Sequence, residues 1–301
     1  MKKLFIKILS YLGYGIVKVN RKPFIKRDQV IIVGKYQLSI PPINPLIFTY
    51  KNNNDFSGEI GRLVICICEK YPQMKIFDVG ANIGDTAAAI KSIREIPLVC
   101  IEGDPFTYSY LLKNSEKFKD VVVYNNYLSD KDDMQTIKLE KEGWNTTLIP
   151  QKDGGRVIQF LKLDTLISKE MIDRIAFKFL KIDTEGYDTI ILRGALEYIS
   201  SAQPVIFLEY NIENMRIIHE DGLSAVLKLR DFGYEKTLFY DDGGRFILSS
   251  TLANDSLIRE LSNYADGKDG LITYYNICFF HQNDSDIAEN VIIVETNRNL
   301  S

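Results

Sequence analysis

From residue 75 onward, apolar runs alternate with segments of helical period. Strands are predicted at 75–79, 98–102, 121–126, 178–183 and 204–210, with helices at 85–94, 105–117, 165–172 and 187–200 between them. Further strands are expected at 134–140 and 156–164. They flank a polar loop, Glu142 to Thr147, that holds Trp144, the only tryptophan. Residues 213–232 read as mainly helical, 234–240, 245–249 and 271–280 as closing strands, and 251–270 as a helix plus a polar loop. Alternation of this kind predicts an α/β fold: a Rossmann-like, mostly parallel sheet with helices on both faces and an antiparallel end. There is no internal repeat.

Ahead of this pattern the chain changes character. Residues 57–70 suit a helix leading into the first core strand. Residues 28–56 read as a strand-and-loop extension, with Val30 to Val33 β-rich and Leu46 to Tyr50 apolar. Pro41-Pro42 excludes a central strand there. Residues 1–27 carry eight Lys/Arg and no acid, and Leu4, Phe5, Ile8, Leu9, Leu12 and Ile16 share one helical face. Such a helix can pack on the protein or lie on an anionic membrane surface. Lys7 interrupts it, so it is a poor spanning segment, and it lacks a small-residue cleavage site. The expected organisation is an N-terminal extension (1–56), one catalytic α/β domain (57–281) and a polar C-terminal tail (282–301).

Composition narrows the function. With 37 Lys+Arg against 40 Asp+Glu the net charge is −3, which argues against nucleic acid as a partner. The four cysteines, Cys66, Cys68, Cys100 and Cys278, form no C-x-x-C pair and read as small buried hydrophobes of a reducing cytoplasm. The two histidines, His219 and His281, lack zinc-ligand spacing.

The chemistry centres on Phe77-Asp78-Val79-Gly80-Ala81-Asn82-Ile83-Gly84-Asp85-Thr86. A strand that ends at a carboxylate, turns on glycines and enters a helix is a nucleotide-cofactor loop. Dinucleotide folds use G-x-G-x-x-G. Here the spacing is G-x-x-x-G, with Asp78 and Asp85 at the two ends. Carboxylates suit a cationic amine better than a pyrophosphate, so the ligand that fits carries an ammonium and a ribose but no phosphate: S-adenosylmethionine. A nicotinamide-dependent oxidoreductase is the rival reading, and the missing third glycine counts against it. Glu102 ends the next strand 18 positions after Gly84, close to the ~20-residue offset at which a strand-end acid meets a ribose diol.

These motifs, with three more, resemble the FkbM family of class I S-adenosylmethionine-dependent methyltransferases. The others are Leu163-Asp164-Thr165-Leu166, then Lys181-Ile182-Asp183-Thr184-Glu185-Gly186-Tyr187-Asp188 with Leu192-Arg193-Gly194-Ala195, and Pro204 to Tyr210. All occur in the family's order over about residues 75–210. Gly103-Asp104 intervenes where the family usually has Glu-Pro, leaving Glu102 in place. The resemblance implies O-methylation of a small-molecule or glycan acceptor, with sugars, polyketides and peptide-type metabolites all within the family's range. It implies cofactor contacts from Asp78, Gly80, Asn82, Ile83, Gly84, Asp85 and Thr86. It adds Glu102, Gly103 and Asp104, then Asn126, Tyr127 and Leu128 beside the adenine, and Asp183.

Methyl transfer to oxygen needs alignment and removal of a proton. Asp183 and Glu185 end one predicted strand and Glu209 ends the next, so these three are the candidate bases, with His219 a fourth. Asp183, Glu209 and Asn211 could also hold Mg²⁺, as some class I O-methyltransferases do. Trp144, Asn145 and Thr146 could wall the acceptor. The favoured acceptor is a bacterial glycan or sugar-containing precursor, met in the cytoplasm or at the inner face of the membrane. Oligomeric state does not follow from the sequence.

Overall fold

The computed structural model describes residues 27–42, 44–52, 56–142, 145–151, 154–266 and 272–300. The basic amphipathic segment and Trp144 therefore lie outside the described residues, apart from Arg27. An antiparallel hairpin comes first, β1 (Gln29–Val33) with β2 (Tyr36–Ile40). Helices Leu46–Asn52 and Gly58–Lys70 lead into β3 (Lys75–Val79), helix Asp85–Ile93, β4 (Leu98–Ile101), helix Pro105–Ser115 and β5 (Val121–Tyr124). Next come β6 (Tyr127–Leu128), β7 (Met134–Glu142), β8 (Asn145–Pro150), β9 (Arg156–Leu161) and helix Leu163–Lys169. The core resumes with β10 (Phe177–Ile182), helices Asp188–Arg193 and Leu196–Ala202, and β11 (Val205–Tyr210). Helices Ile212–Ile217 and Gly222–Leu227 precede β12 (Tyr234–Asp241) and β13 (Phe246–Thr251). Helix Asp255–Ala265, β14 (Tyr275–His281) and helix Ser285–Leu300 close the chain.

The central sheet has the order β13-β12-β14-β11-β10-β3-β4-β5. β11, β10, β3, β4 and β5 are mutually parallel, while β14, β12 and β13 run antiparallel at one end. The expected α/β sheet, mostly parallel with an antiparallel end, is what forms. Period-2 alternation along the buried strands splits the core in two. Phe77, Val79, Leu180 and Ile182 face one side, with Leu192 and Tyr198 of the helices there. Ile76 and Phe179 face the other, with Leu63, Ile90 and Leu111. Strand order reverses between β3 and β10, each flanked by parallel strands, so a crevice opens above their carboxyl ends.

Three details differ from the sequence reading. Residues 46–52 are helical rather than part of a strand-and-loop stretch, because the Asn44 side chain accepts from Leu46 N–H (2.9 Å) and Pro45 starts the turn. The polar stretch expected as a loop after residue 141 instead continues a β7–β8 ladder as far as Glu142 opposite Asn145, in a second sheet ordered β6-β9-β7-β8. The two backbones form an antiparallel pair that periodicity of the parallel core does not announce. The residues read as a polar tail form a helix that buries Ile287, Ala288 and Val291 in the second core, and Arg62 donates to its fully buried Glu295 (2.8 Å). Among the described residues, no helix is long and apolar enough to cross a membrane.

Candidate functional site

The crevice is a cleft of about 250 Å³ over the ends of β3, β4, β10 and β11. Its floor is set by close backbone approach. Gly80 follows β3 at φ +76°, and a Cβ there would run into the Asp183 carbonyl. Only glycine lets the two loops meet in this way. Gly80 and Ala81 N–H both donate to the Ile101 carbonyl (2.9 and 3.1 Å), tying the loop to β4. Asn82 is left-handed at φ +50°, a conformation that asparagine tolerates.

That loop and the end of β4 grip one carboxylate from two sides. Glu102 Oε2 accepts from Asn82 N–H (3.0 Å) and Oε1 from Asp104 N–H (2.9 Å). Burial pushes the Glu102 carboxyl up to about 7, with these two amides working in the opposite direction. Asn125 Nδ2 donates to the carbonyls of Glu102 (2.8 Å) and Gly103 (3.0 Å), which fixes the turn. Asp104 then caps helix Pro105–Ser115 by accepting from Thr107 N–H (3.1 Å). A Cβ on Gly103 would strike the Tyr127 ring, so the tyrosine packs closely against the turn.

The other wall is acidic. Lys181 Nζ lies 3.0 Å from Asp183 Oδ2 and 3.4 Å from Asp78 Oδ1. Burial alone would lower Lys181, but Asp183 and Asp78 outweigh it and raise it. Burial opposes charge on Asp183 too, yet Lys181 beside it holds that carboxyl below the usual range. Glu209 is 5% exposed, and burial followed by the Asp183 charge pushes it far above the carboxylate range. Glu185 is pushed up to about 8, first by burial and then by Asp183 and Asp188.

Glu185 adopts φ +55°, a strained conformation for a non-glycine residue. Its neighbours impose it: Asp188 accepts from Thr184 N–H (2.9 Å) and Gly186 N–H (3.0 Å), and Asn214 Nδ2 donates to Glu185 Oε2 (2.9 Å). Strain upheld from both sides keeps this carboxyl over the cleft.

Most of the expected site residues meet here. Gly80, Asn82, Asp85 and Thr86 line the cleft from the first loop, and Glu102, Gly103 and Asp104 from the second. Asn126, Tyr127 and Leu128 form the far end, and Asp183, Glu185 and Glu209 the acidic wall. Asp85 Oδ2 accepts from Tyr50 OH (2.9 Å), and burial pushes Asp85 up to about 6.

Four expected residues do not reach the cleft. Asp78 is fully buried below it, turned toward Lys181, because strand register sets the two side by side on β3 and β10. Ile83 packs in the second core. Gly84, at φ +88°, turns the chain into the helix against Leu111 and Phe118. His219 lies on an exposed turn at φ +58°.

Lys181 and Tyr274 line the cleft but were not singled out from the sequence. A lysine in the otherwise apolar end of a core strand is a readable signal, since buried lysines are paired. Tyr274 offers none. Of the expected Mg²⁺ donors, Asp183 is already paired with Lys181, and among the described residues no group of three or more His, Cys, Asp or Glu is placed to hold a metal.

The Methyltransferase FkbM domain matches residues 78–236, more than half of the chain and all of the cleft's main loops. The chain belongs to the FkbM methyltransferase family. Among solved structures, the methyltransferase FkbM from Methylobacillus flagellatus KT is 19% identical (TM-score 0.36), over 55% of this chain and only 40% of that protein's length. An O-methyltransferase from Bacillus cereus in complex with SAH is 14% identical (TM-score 0.40), over 75% of this chain and 80% of that one. Fibrillarin of Aeropyrum pernix, with natively bound S-adenosyl-L-methionine, is 11% identical (TM-score 0.35), over 69% of this chain and 66% of that one. No curated protein sequence matches.

Proposed function

We propose that this FkbM-family protein is an S-adenosylmethionine-dependent O-methyltransferase. The observation that carries the reading is the grip on Glu102, whose two oxygens are fixed at the cleft by Asn82 and Asp104. A carboxylate oriented in this way still has lone pairs for two hydroxyl donors, as a ribose diol requires. The residues fit the cofactor in other respects. Tyr127 OH and Thr184 Oγ1 are buried at the cleft without a hydrogen-bond partner, and buried polar atoms of that kind are normally satisfied.

When bound, the cofactor supplies an electrophilic methyl group on a sulfonium. Glu102 would hold its ribose, the Asn126–Leu128 end its adenine, and the acidic residues near Gly80 its cationic portion. The chain's own contribution to chemistry is to orient the acceptor and take its hydroxyl proton. Glu185, upheld over the cleft with a raised proton affinity, is the group suited to that proton near neutral pH, and Asp183 beside it stays ionised.

The acceptor class we favour is a hydroxyl of a sugar-containing precursor. Peripheral contact of residues 1–27 with an anionic membrane surface would suit a lipid-linked one. Titration calorimetry with S-adenosylhomocysteine and with NAD tests the core of the reading. Micromolar binding of the first and none of the second is expected; the reverse would sink it and favour an oxidoreductase.

A further inference from the structure

The β1–β2 hairpin turns one face to the core and the other to solvent. Ile31, Val33, Leu38 and Ile40 are buried on the inner face. On the outer face Val30 and Ile32 stand 61% and 65% exposed, opposite Ser39 and Gln37 across the ladder. An antiparallel pair open to water on one side ordinarily carries polar residues there. Here half of that face is β-branched and apolar, and none of the four side chains is charged.

Cations border this face. Helix Pro105–Ser115 runs along the free edge of β2, where the buried Asn114 accepts from Ser39 N–H (2.8 Å) and donates to the carbonyls of Ser39 (2.9 Å) and Ile83 (2.9 Å). The hairpin is thereby braced against the back of the Gly80–Gly84 loop. Lys117 Nζ, three residues on, donates to the Gln37 carbonyl (2.6 Å), and Lys113 Nζ lies 3.6 Å from Asp28 at the start of the hairpin. Burial and then the Lys113 charge lower the Lys117 ammonium, and Glu116 acts in the opposite direction without offsetting them. Positive charge is therefore in excess at this edge.

The sequence extends the same pattern. Of 37 Lys/Arg and 40 Asp/Glu in the chain, residues 1–40 hold nine of the former and one of the latter, Asp28. Charge is thus segregated, with a basic hairpin end on an otherwise acidic chain. Resting on the contact of residues 1–27 with an anionic membrane surface proposed above, we propose that the outer hairpin face docks on that same surface and orients the domain there. Val30 and Ile32 enter the headgroup boundary, and Lys113 and Lys117 meet the lipid phosphates. Residues 1–26 are a poor cover for the hairpin, because their cations would meet Lys113 and Lys117 as like charges. Through Asn114, the docked hairpin holds the first loop of the cleft at a fixed attitude to the bilayer.

Co-sedimentation of the full chain with phosphatidylcholine vesicles, with and without phosphatidylglycerol, tests the docking. The wild type should partition onto the anionic vesicles only, and less so at high salt. Val30→Glu with Ile32→Glu should weaken that partition by about tenfold or more, and Lys113→Gln with Lys117→Gln by about fivefold per lysine. Thermal melting certifies the fold of each variant; should the glutamate pair fail it, the lysine pair carries the test. Folded variants that partition like the wild type overturn the proposal and leave the contact of residues 1–27 standing. A wild type that ignores anionic vesicles, or binds neutral ones equally, defeats that contact and the proposal together. Retention on a single-stranded oligonucleotide without vesicle binding would do the same and assign the cations to a nucleic-acid backbone.

Discussion

The Lys181 ammonium lies 3.0 Å from Asp183 Oδ2, with only 6% of the lysine side chain exposed. The same nitrogen is 3.4 Å from Asp78, its cross-strand partner on β3. One buried cation thus underpins the floor of the cleft and sets the charge of its acidic wall. With Asp183 held ionised, protons fall to Glu209 and Glu185, both raised by its field as well as by burial.

Lys181→Met should therefore destabilise the fold by about 3–5 kcal/mol, the cost of leaving buried charge unpaired. Urea unfolding measures it. A loss under about 1 kcal/mol would mean that water, not Lys181, compensates the two aspartates.

Gly80→Ala combines a collision with the Asp183 carbonyl and a φ of +76°. It should cost more than the ~1 kcal/mol of an ordinary Gly→Ala change at positive φ and lower S-adenosylhomocysteine affinity. Thermal unfolding with calorimetry checks both. Wild-type values would show that the loop can retreat from β10.

Glu102→Ala should weaken S-adenosylhomocysteine by about 1–3 kcal/mol, the cost of stranding hydrogen-bonded hydroxyls. Because the carboxyl of the free protein titrates near 7 and a ribose diol favours its ionised form, binding at neutral pH should release protons. Calorimetry in two buffers of different ionisation enthalpy detects the release, and Glu102→Ala should abolish it. Unchanged affinity in the variant removes Glu102 from the site.

Stability of the ligand-free protein should fall as pH rises from about 4 through about 8. Asp85, Glu102, Asp188 and Glu185 are pushed up to about 6, 7, 7 and 8, chiefly by burial. Across that window the folded chain keeps protons that the unfolded chain has lost, so deprotonation favours unfolding. Melting temperatures at pH 5.5 and 8.5 test the sign, and a higher value at 8.5 contradicts it.

Glu185→Gln should leave S-adenosylhomocysteine affinity unchanged and slow turnover by about 100-fold or more, the range for a general base. In the wild type, turnover should rise with pH and level off above about 8, where Glu185 has lost its proton. Surviving turnover in the variant would move the base to Asp183 or Glu209.

Much of the fold was legible because its core strands are short, apolar and separated by helices. The cofactor loop was legible because glycine is required where two backbones touch, as at Gly80 and Asp183. Two features were not. β8 (Asn145–Pro150), the antiparallel partner of the expected strand at 134–140, was hidden because its polar start has the composition of a loop. The buried place of Asp78 was hidden because its partner, Lys181, is 103 positions away in the chain (181 against 78).

By itself the sequence determined where a glycine loop and strand-end acids would gather, through local rules: acids at both loop ends, a strand-end glutamate, and glycines that permit left-handed turns. Tertiary structure alone decided which of those acids face the cleft. Burial and strand register turn Asp78 inward to Lys181 and strain Glu185 outward over the cleft. They leave a carboxyl oxygen of Glu209 without a partner. Those outcomes depend on desolvation and on charges brought together from distant strands, which a linear pattern of residues does not contain.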